Sequence, residues 1–253
     1  MSNDPPNVPL EAVADPSINA STPDETANAR RLVALGCRIL GVEGHGDLVW
    51  GHLSARDPDG HGVWMKAATF GFDEITEDRV VLVSPHGDVL AGDGRRHAEY
   101  PIHTEVVRAR DDVGAVVHTH APSAIAFGSL ETPLLPLSHE GTLFVPPDIA
   151  RFTLTGDLIL TAELGRALAG SLADRNAVLL INHGIVTAGP DVPTAVMTAI
   201  LLERACRMQL AAMSGGQIRR WSGDDEALSK RANCYSPPLL RQAWEYLVRR
   251  LDW

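Results

Sequence analysis

Short apolar runs with β-type composition alternate with helical stretches along most of this chain. The runs are VWM at 63–65, VVLVS at 80–84, AVVHT at 115–119 and AVLLIN at 177–182. Helical periodicity predicts helices over about 22–41, 100–109, 121–129, 157–173 and 193–213, and a last one that starts at 236. Because interleaved helices and short strands bury their apolar sides by packing in layers, this alternation predicts a single α/β domain.

The predicted domain spans 21–253 and ends in a helical tail. Residues 1–20 are rich in Pro, Asn and Asp, which predicts a flexible N-terminal arm. Thr22 is the expected N-cap of the first helix, with Pro23 in its first turn and Glu25 completing a capping box. The last helix is expected to bury Leu240, Trp244, Leu247 and Val248.

Composition excludes several classes of function. The formal net charge of the 253 residues is −10, so nonspecific attraction to nucleic acid or to an anionic membrane surface is unfavourable. The three cysteines, Cys37, Cys206 and Cys234, are far apart and form no Cys-x-x-Cys pair, which argues against a disulfide framework or a thiolate zinc site. With neither a basic leader nor a membrane-length apolar stretch, the expected location is the cytoplasm.

Two histidines close the apolar run GAVVHTHAP at 114–122. His118 and His120 are two residues apart, so on a strand they project from one face with Cα atoms about 7 Å apart. Both rings can then reach one metal ion, at ligand distances of about 2.1 Å. Two hydrogen-bonded core histidines explain the pair equally well when it is taken alone.

In LLINHGIVTAGP, a second apolar run also leads into a histidine. His183 follows Asn182 and precedes Gly184, a residue that allows close backbone approach. Two strands that end in histidine predict a three-histidine facial site, which leaves coordination positions open as a catalytic metal requires.

Glu99, in GRRHAEYPIH, is the candidate fourth group. A carboxylate beside such a cation can act as a displaceable ligand or as a general acid and base. The alternative is a glutamate in the first turn of a helix, which the helix macrodipole favours.

Taken together, Glu99, His118-x-His120 and Asn182-His183-Gly184 resemble the class II aldolase/adducin family. The likeness covers about residues 25–215 and includes DLVWGHLSARDPDG, FDEITEDRVVLVSPHGDVL and EYPIHTEVVRARDDVGAVVHTHAP. It implies a three-layer α/β/α fold with a mixed, largely antiparallel central sheet, and a homotetramer with sites at subunit interfaces. It also implies a divalent cation, zinc or manganese with iron or cobalt as alternatives, which His118, His120 and His183 bind and Glu99 contacts as the acid/base.

The chain departs from the sugar-phosphate aldolases of this family where they bind phosphate. Their loop reads Gly-Asn-x-Ser and a Ser-Ser pair precedes the glutamate, whereas this chain has Gly51-His52-Leu53-Ser54 and His97-Ala98. Fewer neutral phosphate donors remain, which argues against a phosphorylated ketose. Arg95 and Arg96 stand nearby, and guanidinium groups pair bidentately with carboxylates, so a small anionic substrate is expected. Solvated loop arginines are the alternative.

Other residues of this region are weaker candidates for the same pocket. His52, Ser54 and Lys66 are candidate substrate-binding residues, with a loop serine and a surface lysine as the alternatives for the last two. The aromatic side chains nearby can wall a flat ring or pack in the core: Trp50, Trp64, Phe70 and Phe72. His139, in SHEG, is a candidate proton donor where family members use a tyrosine of the adjacent subunit, or else a structural histidine.

The resemblance is greater to the family's non-phosphate branch, which includes decarboxylases of hydroxylated aromatic dicarboxylates. The leading hypothesis is therefore a metal-dependent decarboxylase of a dihydroxyphthalate-like compound, in which an arginine binds one carboxylate and Glu99 protonates the ring carbon. The alternative is a retro-aldol lyase acting on a non-phosphorylated hydroxy-keto acid. An adducin-like interaction module without chemistry is the hypothesis from another class, although this chain retains all four candidate metal-site residues.

Overall fold

The structure is a computed structural model that describes residues 23–251. The arm expected at 1–20 and the N-cap expected at Thr22 lie outside the described residues. The strands are β1 (His52–Arg56), β2 (Val63–Lys66), β3 (Val80–Val83), β4 (Val89–Ala91), β5 (Ala115–Thr119), β6 (Ala150–Phe152), β7 (Ala177–Leu180) and β8 (Gly184–Gly189). The helices are α1 (Pro23–Leu40), α2 (Tyr100–Ala109), α3 (Pro122–Gly128), α4 (Ala162–Leu172), α5 (Val192–Ser214), α6 (Asp224–Cys234) and α7 (Pro237–Arg250). Within this range, no helix has the length and apolar character that a membrane span requires.

All eight strands belong to one sheet, in the order β4-β3-β2-β1-β5-β8-β7-β6. Neighbouring strands are antiparallel except β6 and β7, which are parallel. The mixed, largely antiparallel sheet predicted from the sequence is therefore confirmed. The central strand β5 pairs with β1, which sets His52 opposite His118, and with β8, which sets Ile185 opposite Thr119.

Helices cover both faces of this sheet. Ala115 and Val117 of β5 belong to the apolar core that includes residues of α1, α3, α5 and α7. Val116 points the other way, into the core that includes residues of α2 and α4. Since successive side chains of a strand alternate between faces, His118 lies on the same face as Val116, under α2 and α4. The arrangement confirms the three-layer α/β/α fold.

The C-terminal tail follows its prediction closely. Pro237 lies in the first turn of α7, where its missing N–H leaves no hydrogen bond unmade. Leu240, Trp244 and Leu247 are buried in the core beside α5, and Val248 packs against it half-buried.

One helix boundary differs from its prediction, and four strands and one helix were not predicted from the sequence. The helix predicted from 157 begins at Ala162, because the Thr161 hydroxyl accepts a hydrogen bond from the Leu164 N–H and caps the helix there. β4 and β6 are only three residues long, too short to show a period. The segment 51–54 was expected to be a loop, yet His52 and Ser54 lie on β1 with their polar side chains buried under α2. β8 and α6 were also missed.

Helices α2 and α4, which cover the face of the sheet that carries His118, cross closely at Gly165 of α4. A Cβ at Gly165 would lie 2.7 Å from the Pro101 carbonyl oxygen and 2.8 Å from Glu105 Cγ, both on α2. Gly165→Ala should therefore force α4 away from α2 and lower the free energy of unfolding by about 1–3 kcal/mol. Gly170→Ala is the matched control on the same helix, because apart from the backbone of its own helix and its chain neighbours no described atom lies within 4 Å of the place its Cβ would take. Chemical denaturation should show that variant unchanged or stabilised by up to about 1 kcal/mol. Equal losses in the two variants would contradict this account of the helix crossing.

Candidate metal centre

Four side chains from separate parts of the chain converge at one end of the sheet. They are Glu99, just before α2; His118, in β5; His120, just after β5; and His183, between β7 and β8. Each offers one ligand atom, and these atoms all lie within 4.8 Å of one another. The structure thus brings together the four residues that the sequence singled out for a metal site.

Backbone pairing orients the ring of His118, which is fully buried. Its Nδ1 lies 2.9 Å from the Ile185 carbonyl oxygen on the neighbouring strand β8. A carbonyl oxygen only accepts, so Nδ1 carries the hydrogen and Nε2 presents its lone pair to the cluster. Burial lowers the pKa of His118 well below its usual value, and a neutral ring is the form that binds metals.

Asp47 orients the ring of His120 in the same way. The His120 Nδ1 donates to Asp47 Oδ2 at 2.7 Å, so its Nε2 also faces the cluster as a lone pair. Asp47 was not predicted from the sequence. The two residues are 73 positions apart, and Asp47 lies in a short turn before β1 where no periodic pattern gives it a distinct role.

A tight connection between β7 and β8 presents His183. Asn182 has a φ of 55°, and the His183 N–H donates to the Leu180 carbonyl oxygen at 3.2 Å. Gly184 lets this turn approach β5: a Cβ there would lie 2.5 Å from the Thr119 carbonyl oxygen and 3.3 Å from His118 Cε1. The close approach that the sequence predicted for Gly184 is confirmed.

Glu99 lies against the histidines as a buried carboxyl group. Its Oε1 accepts a hydrogen bond from the Ile159 N–H at 2.7 Å and lies 3.6 Å from His183 Nε2. Its Oε2 lies 3.8 Å from His118 Nε2. Although Glu99 occupies the N-cap position of α2, its side chain makes no capping hydrogen bond, so helix capping does not explain it. Burial raises the pKa of Glu99, which favours a carboxyl group able to hold and release a proton.

The donor atoms fit a bound cation. His118 Nε2 and His120 Nε2 are 3.2 Å apart. Each presents a lone pair, so no hydrogen bond joins them and their repulsion is relieved only by a cation or a proton. Both ring nitrogens of His183 are buried without a hydrogen-bond partner in the described chain. Buried polar atoms left in this way ordinarily have a ligand or ion as their partner. Three imidazoles and a carboxylate match zinc, manganese, iron(II) or cobalt(II) by ligand type.

A second cluster of possible metal ligands has its donor atoms equally close together, but Asp57, one of its carboxylates, already accepts hydrogen bonds from the protein. Asp57, Asp59 and His61 lie together in the turn between β1 and β2. Asp57 Oδ1 accepts from Trp64 Nε1 at 2.8 Å, and its Oδ2 accepts from the His61 N–H at 3.0 Å. These contacts hold the turn together.

Lys66 and His97 are polar side chains that contact each other near the four candidate ligands. The Lys66 side chain is fully buried, so the surface-lysine alternative is wrong. Its Nζ donates to the Val49 carbonyl oxygen at 3.0 Å and to His97 Nε2 at 3.2 Å. Burial lowers the pKa of Lys66 to about 8, which leaves most of it charged at neutral pH. The His97 ring centroid lies 4.6 Å from that of His52.

The remaining candidates for substrate binding differ in what they contact. Arg96 donates to the Gly87 carbonyl oxygen at 2.6 Å and stacks on Tyr100, with its Cζ 4.2 Å from the ring centroid, so its guanidinium holds a loop. Arg95 is exposed. Ser54 is fully buried and its hydroxyl contacts His103. Of the aromatic residues, Trp64 and Phe72 are buried in the core, Phe70 is partly buried and Trp50 is half exposed.

His139 lies apart from the cluster within this chain. It is exposed, and its Nδ1 lies 3.2 Å from Cys234 Sγ on α6. No described contact joins it to the four candidate ligands, so its expected role as a proton donor stays a prediction.

Fold and site together define a class of protein: a three-layer α/β/α enzyme scaffold with a three-histidine, one-glutamate candidate metal centre at the end of its sheet. Residues 31–210 match the family model described as Class II Aldolase and Adducin N-terminal domain, and the chain belongs to that family.

Relatives of this chain include lyases of two kinds. A 3,4-dihydroxyphthalate decarboxylase of Arthrobacter keyseri is 28% identical over 216 residues, which cover 75% of this chain and 81% of the relative. An aldolase II superfamily protein from Pseudomonas syringae superposes with a TM-score of 0.82 at 28% identity, covering 92% of this chain and 95% of the other. The L-fuculose 1-phosphate aldolase from Glaciozyma antarctica superposes with a TM-score of 0.80 at 26% identity, covering 98% and 94%. The family and these relatives support an enzyme of the lyase class.

The contact between Asp47 and His120 generates a prediction about metal affinity. Asp47→Asn removes the negative charge that fixes the His120 tautomer and makes its Nε2 a better donor, so affinity for Zn²⁺ should fall by about 10- to 100-fold. Competition with a chromogenic chelator measures this. Asp225→Asn, at an exposed position on α6, is the matched control and should bind Zn²⁺ as the parent protein does. Unchanged affinity in Asp47→Asn would show that Asp47 does not support a metal ligand.

Proposed function

We propose that this protein is a metal-dependent carboxy-lyase that decarboxylates a hydroxylated aromatic dicarboxylate of the dihydroxyphthalate type. The observation that carries the proposal is the position of Glu99, a buried carboxyl group with a raised pKa beside three converging imidazoles. The similarity to a 3,4-dihydroxyphthalate decarboxylase supports the choice of substrate class.

The proposed reaction assigns each residue a part. His118, His120 and His183 would hold a divalent cation, zinc or manganese with iron(II) or cobalt(II) as alternatives, and Glu99 would contact it. When bound, such a cation supplies positive charge that stabilises an anionic substrate oxygen. Decarboxylation breaks the bond between the ring carbon and its carboxylate, and the electron pair stays on the ring as carbon dioxide leaves. Protonated Glu99 then gives its proton to that ring carbon and regains one from solvent.

Lys66 and His52 are the proposed contacts for the second carboxylate of the substrate. The buried Lys66 ammonium adds positive charge, and the His52 Nε2 lies 3.9 Å from Glu99 Oε2, beside the reacting group. Arg95 would contribute from the exposed rim. We leave Arg96 and Ser54 out of this assignment, because the guanidinium of Arg96 already binds the Gly87 carbonyl and the Ser54 hydroxyl already contacts His103.

A retro-aldol lyase acting on a non-phosphorylated hydroxy-keto acid is the second candidate. The same four groups serve it, since the cation would stabilise an enediolate while Glu99 moves the proton. The similarity to the L-fuculose 1-phosphate aldolase fold favours keeping this candidate. An adducin-like module without chemistry is the third, and it predicts a protein that cannot be loaded with metal.

The function is tested by carbon dioxide release from 3,4-dihydroxyphthalate by the metal-loaded protein. His118→Ala should abolish both metal loading and release, because it removes a buried ligand. Glu99→Gln keeps the shape of the side chain without its acid, so turnover should fall by about 100- to 10,000-fold. Glu163→Gln, at an exposed position on α4, is the matched control and should retain full turnover.

Three results would count against the decarboxylase. Release that survives His118→Ala would exclude the proposed role of the metal centre. An aldehyde product from a hydroxy-keto acid, without carbon dioxide from aromatic acids, would favour the second candidate. Elemental analysis that finds no metal, even after loading, would favour the third.

We also propose that the protein is a homotetramer with its sites at subunit interfaces, where His139 of one subunit would reach the site of another. Apolar side chains stand exposed near the metal centre: Leu48 is 75% exposed and Trp50 is 52% exposed, close in sequence to Asp47. Light scattering coupled to size exclusion should give four times the mass of one chain. A monomer that is fully active at the concentration of the assay would contradict this assembly.

A further inference from the structure

Three buried side chains form a hydrogen-bonded series behind Glu99. The Ser54 hydroxyl lies 2.7 Å from His103 Nδ1, and His103 Nε2 lies 2.6 Å from His52 Nδ1. The other end of the series, His52 Nε2, faces Glu99 Oε2 at 3.9 Å. Ser54 and His103 are fully buried and His52 is 2% exposed.

The fold brings these three residues together from two elements. His52 and Ser54 are two positions apart on β1, so they share the face of the sheet that also carries His118. His103 is in α2, which covers that face, and its ring spans the distance between the two side chains. The series therefore joins the sheet and the helix that also begins next to Glu99.

The 2.6 Å contact between His103 Nε2 and His52 Nδ1 limits how the hydrogens can be arranged, because one of these nitrogens must donate and the other must accept. Burial lowers the pKa of His103 to about 3 and that of His52 well below its usual value. A neutral imidazole has one N–H donor and one lone-pair acceptor, so the choice made at one nitrogen fixes the other. Only two arrangements of the series follow.

In the first arrangement every hydrogen points toward Glu99. The Ser54 O–H donates to His103 Nδ1, the His103 Nε2–H donates to His52 Nδ1, and the His52 Nε2–H faces the carboxyl group. In the second, His52 Nδ1–H donates to His103, His103 donates to Ser54, and His52 Nε2 presents a lone pair to the Glu99 oxygen. With Glu99 ionised, as contact with a bound cation would favour, two acceptors then face each other in a buried site, so the second arrangement is electrostatically unfavourable.

We propose that Ser54 and His103 are positioning residues that hold His52 in its Nε2–H tautomer, so that His52 presents a fixed N–H donor to a carboxylate of the substrate beside Glu99. The 3.9 Å separation from Glu99 Oε2 is too long for a hydrogen bond, so this N–H remains available to an acceptor in the cleft. The carboxylate contact rests on the proposed function, whereas the tautomer does not.

Nuclear magnetic resonance tests the tautomer directly. Two-bond ¹H–¹⁵N correlation spectra of the zinc-loaded protein, labelled with ¹⁵N in its histidine rings, distinguish the two neutral forms. A matching spectrum of His52→Asn assigns the His52 signals. We expect His52 as the Nε2–H form, with the Nε2–H signal shifting when phthalate is added as a carboxylate probe. The Nδ1–H form, or no shift at saturating phthalate, would overturn the proposal.

Two substitutions of His103 separate positioning from simple packing. His103→Gln keeps an amide N–H near the position of Nε2, so it should retain the His52 tautomer and most of the activity. His103→Leu fills a similar volume without a donor, so the Nε2–H form should be lost and kcat/KM for 3,4-dihydroxyphthalate should fall by about 10- to 100-fold, mainly through KM. Zinc content should stay the same in both variants, because neither changes a candidate ligand.

Substitutions of Ser54 and Thr198 test whether the effect on substrate binding is specific to the hydrogen-bonded series. Ser54→Ala should weaken substrate binding in the same direction as His103→Leu, and Ser54→Thr should restore it. Thr198→Val removes another buried hydroxyl, on α5, and should leave KM unchanged. Equal kcat/KM in His103→Gln and His103→Leu, with both folded and zinc-loaded, would overturn the positioning role. If the parent protein releases no carbon dioxide, the proposed function fails, yet the spectra with phthalate still decide this inference.

Discussion

The pairing of β5 with its two neighbours is the constraint on which the rest of the site depends. On one side, β1 sets His52 opposite His118; on the other, β8 supplies the Ile185 carbonyl that orients the His118 ring. A slip of either register by one residue would turn these side chains to the opposite face. The geometry of the candidate metal centre therefore depends on the sheet, and the buried apolar residues of β5 that hold the register also hold the imidazole geometry.

Burial determines the charge of this centre as well as its shape. It lowers the pKa of His118 and His183 and raises that of Glu99, so it disfavours the charged form of each of these side chains. Neutral imidazoles need not lose protons before they bind a cation, which favours binding near neutral pH. Lys66, with a pKa lowered to about 8, is a cationic side chain that contacts His97 beside this region. An anionic substrate would thus meet positive charge both from the cation and from Lys66.

The sequence could predict the four converging residues because each lies where a regular pattern ends. Apolar runs of the sequence lead into His118 and His183, and Glu99 precedes an amphipathic helix, so pattern and chemistry coincide. Asp47 and His103 gave no such signal. Asp47 lies in an irregular turn, and His103 reads as one polar residue in a helix. Their partners are 73 and 51 positions away, so only the folded chain shows the contacts. β1 was not predicted for a related reason: its buried polar residues, His52 and Ser54, give the segment the composition of a loop.

The N–H donor proposed for His52 points in a fixed direction, which distinguishes it from a hydroxyl donor. A serine hydroxyl rotates to donate or accept, so paired serines adapt to the several oxygens of a phosphate. A neutral imidazole held at its far nitrogen cannot rotate its hydrogen elsewhere, and an N–H fixed in this way suits a planar acceptor approached from one side. Where the resemblance places an asparagine and a serine pair that bind phosphate, this chain has His52, His97 and Ala98, and of these His52 is the proposed directed donor. Under the proposed function, His52 at the start of β1 favours a planar carboxylate over a phosphate, while the four candidate metal ligands are retained.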